Sequence, residues 1–332
     1  MNTIKAAITA VAGYVPPDKI TNADLEKLID TSQEWIVERT GIHERRVLKG
    51  EAKGTSVMAI EAVKLLCEKR GIAPSEIDAL ICATVTPDMM FPCTANLICD
   101  ALKIHPMSFD LLAACSGFLY GLEIGSNFIK SGVYKKVVVI GADKMTSITN
   151  YEERTSCILF GDGAGAVLLE PCEPQHGIQD TLLKTDGNGR QILFKKAGGS
   201  AFPIDEERLK AKEHLFYQEG RQVFKHAVSR VSLTAQELMQ RNDLQGDDIA
   251  FLVPHQANRR ILEAIGERIS VPYERFTINI DRFGNTAAAT IPLCLWEWEQ
   301  AFQEGDKLLL TAFGAGLTWG AIYLIWAYKA MF

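Results

Sequence analysis

The sequence predicts an α/β protein with mixed or mostly parallel sheets, built twice over from one plan. Three observations lead there. Strand-like runs alternate with helical patterns along most of the chain, as they do when helices cover sheets. Each half carries the same order of strand, chemistry-bearing loop, helix, strand and glycine-containing turn, which an internal duplication explains better than chance. At 332 residues the chain exceeds a comfortable single core, so two core units are expected.

Residues 6–13 are apolar and follow Lys5, but the run is too short for a signal peptide and enters Tyr14-Val-Pro-Pro17. A first or edge strand is the better reading. Residues 77–83 read as a buried strand, followed by a helix over 95–102, a strand over 106–113 and a helix over 116–131. A strand over 135–140, the turn Gly161-Asp-Gly-Ala-Gly165 and a strand over 166–170 close the first half.

The second half repeats this order. Asp248-Ile-Ala-Phe-Leu-Val253 resembles Ile77-Asp-Ala-Leu-Ile-Cys82, and a helix over 258–268 follows. Then come a strand over 276–280, a helix over 286–303, a strand over 307–311, the turn Phe313-Gly-Ala-Gly316 and a closing strand from Ala321. Pro171-Cys-Glu-Pro-Gln-His176 reads as the joint, placing the halves at 1–172 and 173–332. Residues 195–220 break the pattern. Polar and glycine-containing before turning helical at Ile204, they are expected to form a surface excursion over the site. The closing run Gly320-Ala-Ile-Tyr-Leu-Ile-Trp-Ala-Tyr328 is too short to span a bilayer, so no membrane insertion is expected.

Composition narrows the function. Hydrophobic residues at 47% and charged residues at 23% are an ordinary globular balance, and a net charge of −6 argues against nucleic-acid binding. Any acidic partner needs a local basic patch. The eight cysteines are scattered without a CxxC pair, which predicts a reducing, cytoplasmic compartment. Six dispersed histidines, with no HExxH motif, predict no metal site.

Cys115 stands between a strand-like run and a helix, in Ser108-Phe-Asp-Leu-Leu-Ala-Ala-Cys115-Ser-Gly-Phe118. Unpaired backbone N–H groups and the positive helix end favour a thiolate there, and small neighbours leave room for a substrate. Alone, it could equally be a small buried hydrophobe. His255, in Val253-Pro-His-Gln-Ala-Asn258, could be a satisfied loop histidine, and Asn285, in Asp281-Arg-Phe-Gly-Asn285, a plain N-cap. Together the three lie at corresponding strand ends of a duplicated fold, where open α/β sheets place ligands. A cysteine protease also uses Cys, His and Asn, with His deprotonating the thiol, and spacing leaves that alternative open. Gly161-Asp-Gly-Ala-Gly-Ala166 fits a loose dinucleotide fingerprint, but strand-like residues follow where a helix should open. A glycine-bent hairpin is expected instead.

Several long motifs stand in a fixed order. They are Asn22-Ala-Asp-Leu-Glu26, Asp30-Thr-Ser-Gln-Glu-Trp-Ile-Val-Glu-Arg-Thr-Gly41, Ala113-Ala-Cys-Ser-Gly117, Phe160-Gly-Asp-Gly-Ala-Gly165, Val253-Pro-His-Gln-Ala-Asn258, Asp281-Arg-Phe-Gly-Asn-Thr286 and Phe313-Gly-Ala-Gly-Leu-Thr-Trp-Gly320. In these the chain resembles the thiolase superfamily and, within it, the 3-oxoacyl-[acyl-carrier-protein] synthase III family. Other branches pair the cysteine with two histidines or bring a second cysteine. A Cys-His-Asn set resembles the synthase III branch, with chalcone-type and hydroxymethylglutaryl-CoA synthases, and Glu34-Trp-Ile-Val-Glu-Arg39 points to synthase III.

The resemblance implies a thiolase-like duplicated fold, five-layered αβαβα with mixed sheets. It implies the initiating condensing enzyme of type II fatty acid synthesis. Cys115 takes the acyl group of an acyl-CoA, the backbone N–H groups of Cys115 and Ala315 hold the oxyanion, and His255 and Asn285 stabilise the enolate formed when malonyl-acyl carrier protein loses carbon dioxide. Acyl-CoA is a substrate, and no metal or redox cofactor is implied. Thr31, Trp35, Arg39, Arg154, Gly220 and Asn258 match CoA contacts, with Trp35 and Arg154 sandwiching the adenine. Phe224 matches a residue of the substrate channel and acyl pocket. Phe91 matches an acyl-pocket residue that reaches the partner subunit of a homodimer. Lys225, Arg259 and Arg260 match a basic patch for the acidic carrier protein.

Two departures from the family pattern stand out. Gly314-Ala315-Gly316 replaces a triple glycine, and its methyl could crowd the oxyanion or acyl pocket. Trp326-Ala-Tyr-Lys-Ala-Met-Phe332 runs slightly past the usual terminus, without a functional account. A relative priming polyketide or quinolone synthesis would use the same residues on another acceptor. A non-catalytic carrier-binding subunit would lack a nucleophile such as Cys115. Primer length and branching depend on how Met89, Met90 and Phe91 pack across a dimer.

Overall fold

Within the strand Val137–Lys144, Val137 and Val139 enter one apolar cluster while Val138, Ile140 and Ala142 enter another. Successive side chains of a strand point to opposite faces, so this sheet is covered on both. The same holds for Lys307–Gly314, where Leu308 and Leu310 face the first cluster and Leu309 and Phe313 a third. The computed structural model describes residues 4–330, and Met331 and Phe332 of the C-terminal run lie outside the described residues.

The first sheet runs in the order Lys5–Tyr14, Asp162–Cys172, Val137–Lys144, Ala79–Ala83, Met107–Leu111. Its first two pairings are antiparallel and its last two parallel. The second sheet runs in the order Gly177–Thr185, Thr318–Ile325, Lys307–Gly314, Phe251–Pro254, with two antiparallel pairings followed by a parallel one. Order and direction repeat, as the sequence predicts.

The repeat is imperfect at one edge. The strand expected over 276–280 is reduced to a single parallel bridge between Phe276 and Leu252, and a short helix, Ile280–Phe283, follows. Gln256 takes the backbone that a strand would have paired: its Oε1 lies within hydrogen-bonding range of the N–H groups of Asn279 and Ile280, and its Nε2 donates to Thr277 O.

Helices Gly117–Lys130 and Thr290–Trp298 lie between the sheets, burying Phe118, Leu119, Leu122 and Ile291, Cys294, Leu295 against both. Thr55–Arg70 and Thr94–Leu102 cover the outer face of the first sheet, and Gly220–Arg241 and Arg259–Ile269 that of the second. The result is the five-layered αβαβα arrangement.

Gly161-Asp-Gly-Ala-Gly165 is neither a nucleotide loop nor the expected hairpin turn. Residues Asp162–Cys172 form one continuous strand. A Cβ on Gly163 would lie 2.9 Å from Leu293 Cδ1, and one on Gly165 2.7 Å from Pro292 Cβ, so these glycines admit the central helix against the sheet. The short turns that precede the two central helices, Ala114–Ser116 and Ala287–Ala289, pack against each other. Each opens on an alanine at φ +49°, a left-handed conformation that costs energy outside glycine.

The excursion over 195–220 is ordered. Strands Leu193–Lys195 and Phe216–Gln218 pair antiparallel and enclose a helix that starts at Glu206 rather than Ile204. Among the described residues, no helix is long and apolar enough to cross a membrane.

Candidate active site

A cavity of about 670 Å³ takes in Cys115, His255, Asn285 and Ala315, and its wall also includes Gly220, Phe224 and Asn258. Lys195, Gly198 and Phe216 of the excursion form part of the same wall.

Cys115 lies in the first turn before helix Gly117–Lys130, where backbone N–H groups have no carbonyl within the helix. Gly314 keeps that side open, since a Cβ there would come within 2.8 Å of Cys115 N. Ser116 Oγ donates to Thr318 O at 3.0 Å, and Thr318 Oγ1 lies 3.1 Å from Ala113 O and 3.0 Å from Ala315 O. These bonds stitch the cysteine loop to the last hairpin and leave the Ala315 N–H without a protein acceptor among the described residues. The thiol itself departs from the sequence expectation. Burial pushes it up to about 12, and the nearby Asp143 carboxylate pushes the same way. The residue still has half-buried contact with the cavity, so the apolar lining dominates the helix end.

Asp143 went unnoticed in the sequence, although it stands at the C-terminal end of a central strand. Fully buried, it accepts from Val85 N, from Thr84 Oγ1 and Thr86 Oγ1, and from Ala288 N at 3.0 Å. It therefore ties the first sheet to the turn that follows Asn285. Burial raises its carboxyl to about 6 against the lowering effect of those bonds.

His255 continues the second sheet, its N–H donating to Thr311 O at 2.7 Å. Burial holds its imidazole down to about 3, so the ring is neutral. Its Nδ1 lies 2.7 Å from Thr290 Oγ1, and Nε2 has no protein partner among the described residues. Asn285 Oδ1 accepts from Ala287 N at 2.9 Å, an Asx turn that fixes the amide's orientation and leaves Nδ2 without a protein partner among the described residues. The expected plain N-cap role does not hold, since Thr286 is the capping residue of the turn Ala287–Ala289 and Asn285 Oδ1 serves the Asx turn before it. Among the described residues, no hydrogen bond joins Cys115 Sγ to His255, and no group of His, Cys, Asp or Glu could hold a metal ion.

Other predicted positions lie outside the cavity wall. The Arg154 guanidinium stacks on Trp35, 3.9 Å from the ring centroid, with Arg39 at 5.2 Å. The two expected jaws of an adenine clamp therefore touch each other. Trp35 packs in one cluster with the cavity residues Ile148, Leu159 and Phe216. Thr31 Oγ1 is buried without a partner among the described residues.

Asn258 caps helix Arg259–Ile269 through Arg260 N and donates to Arg39 O at 2.9 Å, so its amide is engaged within the protein. Phe91 is 85% exposed, in line with Met90 at 77%. Lys225 and Arg260 are exposed and lack an acidic partner among the described residues, whereas Arg259 pairs with Glu263 at 2.8 Å. Arg260 lies 6.0 Å from the Phe224 ring at the cavity wall.

Two repeated halves that bring a cysteine from one and a histidine–asparagine pair from the other to a single cavity define a condensing enzyme of the thiolase type. Residues 109–187 match the family described as 3-oxoacyl-[acyl-carrier-protein (ACP)] synthase III, and residues 239–326 match its C-terminal part. The β-ketoacyl-[acyl-carrier-protein] synthase III of Porphyromonas gingivalis is 52% identical, covering 99% of this chain and 98% of the relative. That of Chlorobium chlorochromatii is 52% identical, covering 97% and 100%. Among solved structures, the synthase III of Aquifex aeolicus superimposes with a TM-score of 0.89 at 39% identity, covering 97% of this chain and all of that one. A priming β-ketosynthase of the R1128 polyketide pathway gives 0.89 at 29% identity, covering 98% and 97%. The chain belongs to the β-ketoacyl-[acyl-carrier-protein] synthase III family.

Proposed function

We propose that this protein initiates fatty acid synthesis by condensing an acyl-CoA primer with malonyl-acyl carrier protein. The observation that carries this reading is the convergence of Cys115, Asn285 and a neutral His255 on one cavity. Cys115 Sγ attacks the thioester carbonyl, the thiol proton leaves with CoA, and an acyl-enzyme remains. The N–H groups of Cys115 and Ala315 take the developing oxyanion, with Gly314 keeping the approach open. Because Ala315 contributes through its backbone, its extra methyl does not remove the donor.

Malonyl thioester then loses carbon dioxide, leaving its electron pair as an enolate whose oxygen His255 and Asn285 hold. That carbanion attacks the acyl group and expels Sγ, giving 3-oxoacyl-carrier protein. Burial makes this ring reluctant to take up a proton, which suits a hydrogen-bond donor better than the proton-abstracting base of a cysteine protease. No step calls for a metal or redox group.

Trp35 and Arg154 are read as the adenine site, opening from their mutual stack to admit the base. Lys225, Arg259 and Arg260 are read as the carrier-protein patch beside the cavity mouth. Phe91 is read as a contribution to the partner subunit's acyl pocket in a homodimer. Two features support a dimer: the apolar exposure of Met90 and Phe91, and the outer edge of Met107–Leu111, which ends the first sheet.

The test is mass spectrometry after incubation with a mixed acyl-CoA pool, followed by malonyl-carrier protein. The expected result is one acyl adduct on Cys115, discharged as a 3-oxoacyl product, with Cys115→Ala unmodified. His255→Ala should keep the adduct and lose product by at least about a hundredfold. Equal loss of both half-reactions in His255→Ala would sink the donor role and favour a base.

A further inference from the structure

We propose that Thr290 fixes the tautomer of His255, its hydroxyl donating to Nδ1 so that Nε2–H is the donor presented to the cavity. This rests on the condensing role of His255 given above. The hydroxyl has one hydrogen and two neighbouring acceptors, His255 Nδ1 at 2.7 Å and Ala287 O at 3.1 Å. Ala287 O already receives the backbone N–H of Thr290, so it does not depend on the hydroxyl.

The distances point the same way. With an oxygen acceptor, hydrogen bonds from a hydroxyl are typically shorter, about 2.7–2.8 Å, than those from an N–H, about 2.9–3.0 Å. The 2.7 Å contact to Nδ1 lies at the short end of the N–H range, whereas the 3.1 Å contact to Ala287 O lies beyond the range usual for a hydroxyl donating to oxygen, so the hydroxyl hydrogen belongs on the shorter contact. The reverse assignment, with Nδ1–H donating to the threonine, would leave a lone pair on Nε2 facing the substrate carbonyl, and such a ring repels the enolate oxygen.

The surroundings hold this arrangement in place. Thr290 is the first residue of the central helix Thr290–Trp298, is 1% exposed, and is β-branched, so its side chain has few alternatives. Burial keeps the imidazole neutral, which preserves Nδ1 as an acceptor. A hydroxyl that donates to Nδ1 also polarises the ring, strengthening the Nε2–H bond to a developing oxyanion. Thr290 touches no reacting atom and is a positioning residue. It sits 35 positions from His255, and only the packing of the central helix against the second sheet brings them together.

The experiment compares Thr290→Val and Thr290→Ser in the full-length enzyme. For Thr290→Val, kcat for decarboxylation of malonyl-acyl carrier protein should fall on the order of ten- to a hundredfold, as for a weakened oxyanion donor. KM should stay within about threefold, and Thr290→Ser should restore kcat. The second readout is ¹⁵N NMR of histidine-labelled protein, with the His255 signal assigned by its loss in His255→Ala. Wild type should carry the proton on Nε2, and Thr290→Val should show a mixed or shifted tautomer. A proton on Nδ1 in the wild type overturns the assignment, as does a valine variant with unaltered kcat. His255→Ala separates the two levels. If it decarboxylates normally, the reading of His255 fails; if it does not and the valine variant does, only the role of Thr290 fails.

Discussion

At Cys115 the N-terminus of helix Gly117–Lys130 favours a thiolate, while the apolar cavity and the Asp143 carboxylate oppose it and prevail. The resting residue is therefore a thiol, and in the proposed acylation its proton departs with the leaving CoA. Below its raised value the thiolate fraction grows about tenfold per pH unit. Iodoacetamide labelling of Cys115, followed on its own peptide, should thus climb continuously between pH 7 and 10. A plateau near neutral pH would show that the helix end governs instead.

The central helix Thr290–Trp298 follows the turn after Asn285 and sets Thr290 against His255, and the glycines of Asp162–Cys172 let it approach the first sheet. A side chain at Gly165 meets Pro292 Cβ at 2.7 Å and Leu293 N at 2.9 Å, and backbone cannot yield as a flexible side chain does. Gly165→Ala should destabilise the protein by about 1–3 kcal/mol through overpacking. It should also lower condensation more than acylation, because Thr290 opens the displaced helix and Asn285 lies just before the turn that leads into it. Denaturant unfolding together with the two half-reactions checks this. Normal stability and normal kinetics would mean that the sheet accommodates the methyl.

Across the whole molecule, the first sheet ends at the unpaired edge of Met107–Leu111, near which Leu112 is 77% exposed. Phe91, 85% exposed, lies outside the wall of its own cavity. If a second copy covers these residues, Phe91→Asp should shift the protein from dimer to monomer in light scattering, with loss of primer selectivity. A wild type that is monomeric at micromolar concentration would remove this reading of Phe91.

Much of this was legible in order and spacing. The duplicated plan, the cavity-facing Cys115, His255 and Asn285, and the covering excursion all follow from local patterns, because strands and helix starts have short-range signatures. Three features did not follow. The strand expected over 276–280 collapsed to one bridge because Gln256, from another loop, takes its backbone groups. The Gly161–Gly165 motif looked like a turn, since a sequence does not say which helix a glycine must admit. Asp143 and Thr290 gave no signal, as each acts through partners remote in the chain. Short-range patterns suffice for the fold class, the repeat and the identity of the three chemical groups. Their states, a protonated thiol and a neutral imidazole oriented by a hydroxyl, arise on folding, because desolvation and hydrogen-bond partners exist only once the two halves have closed around the cavity.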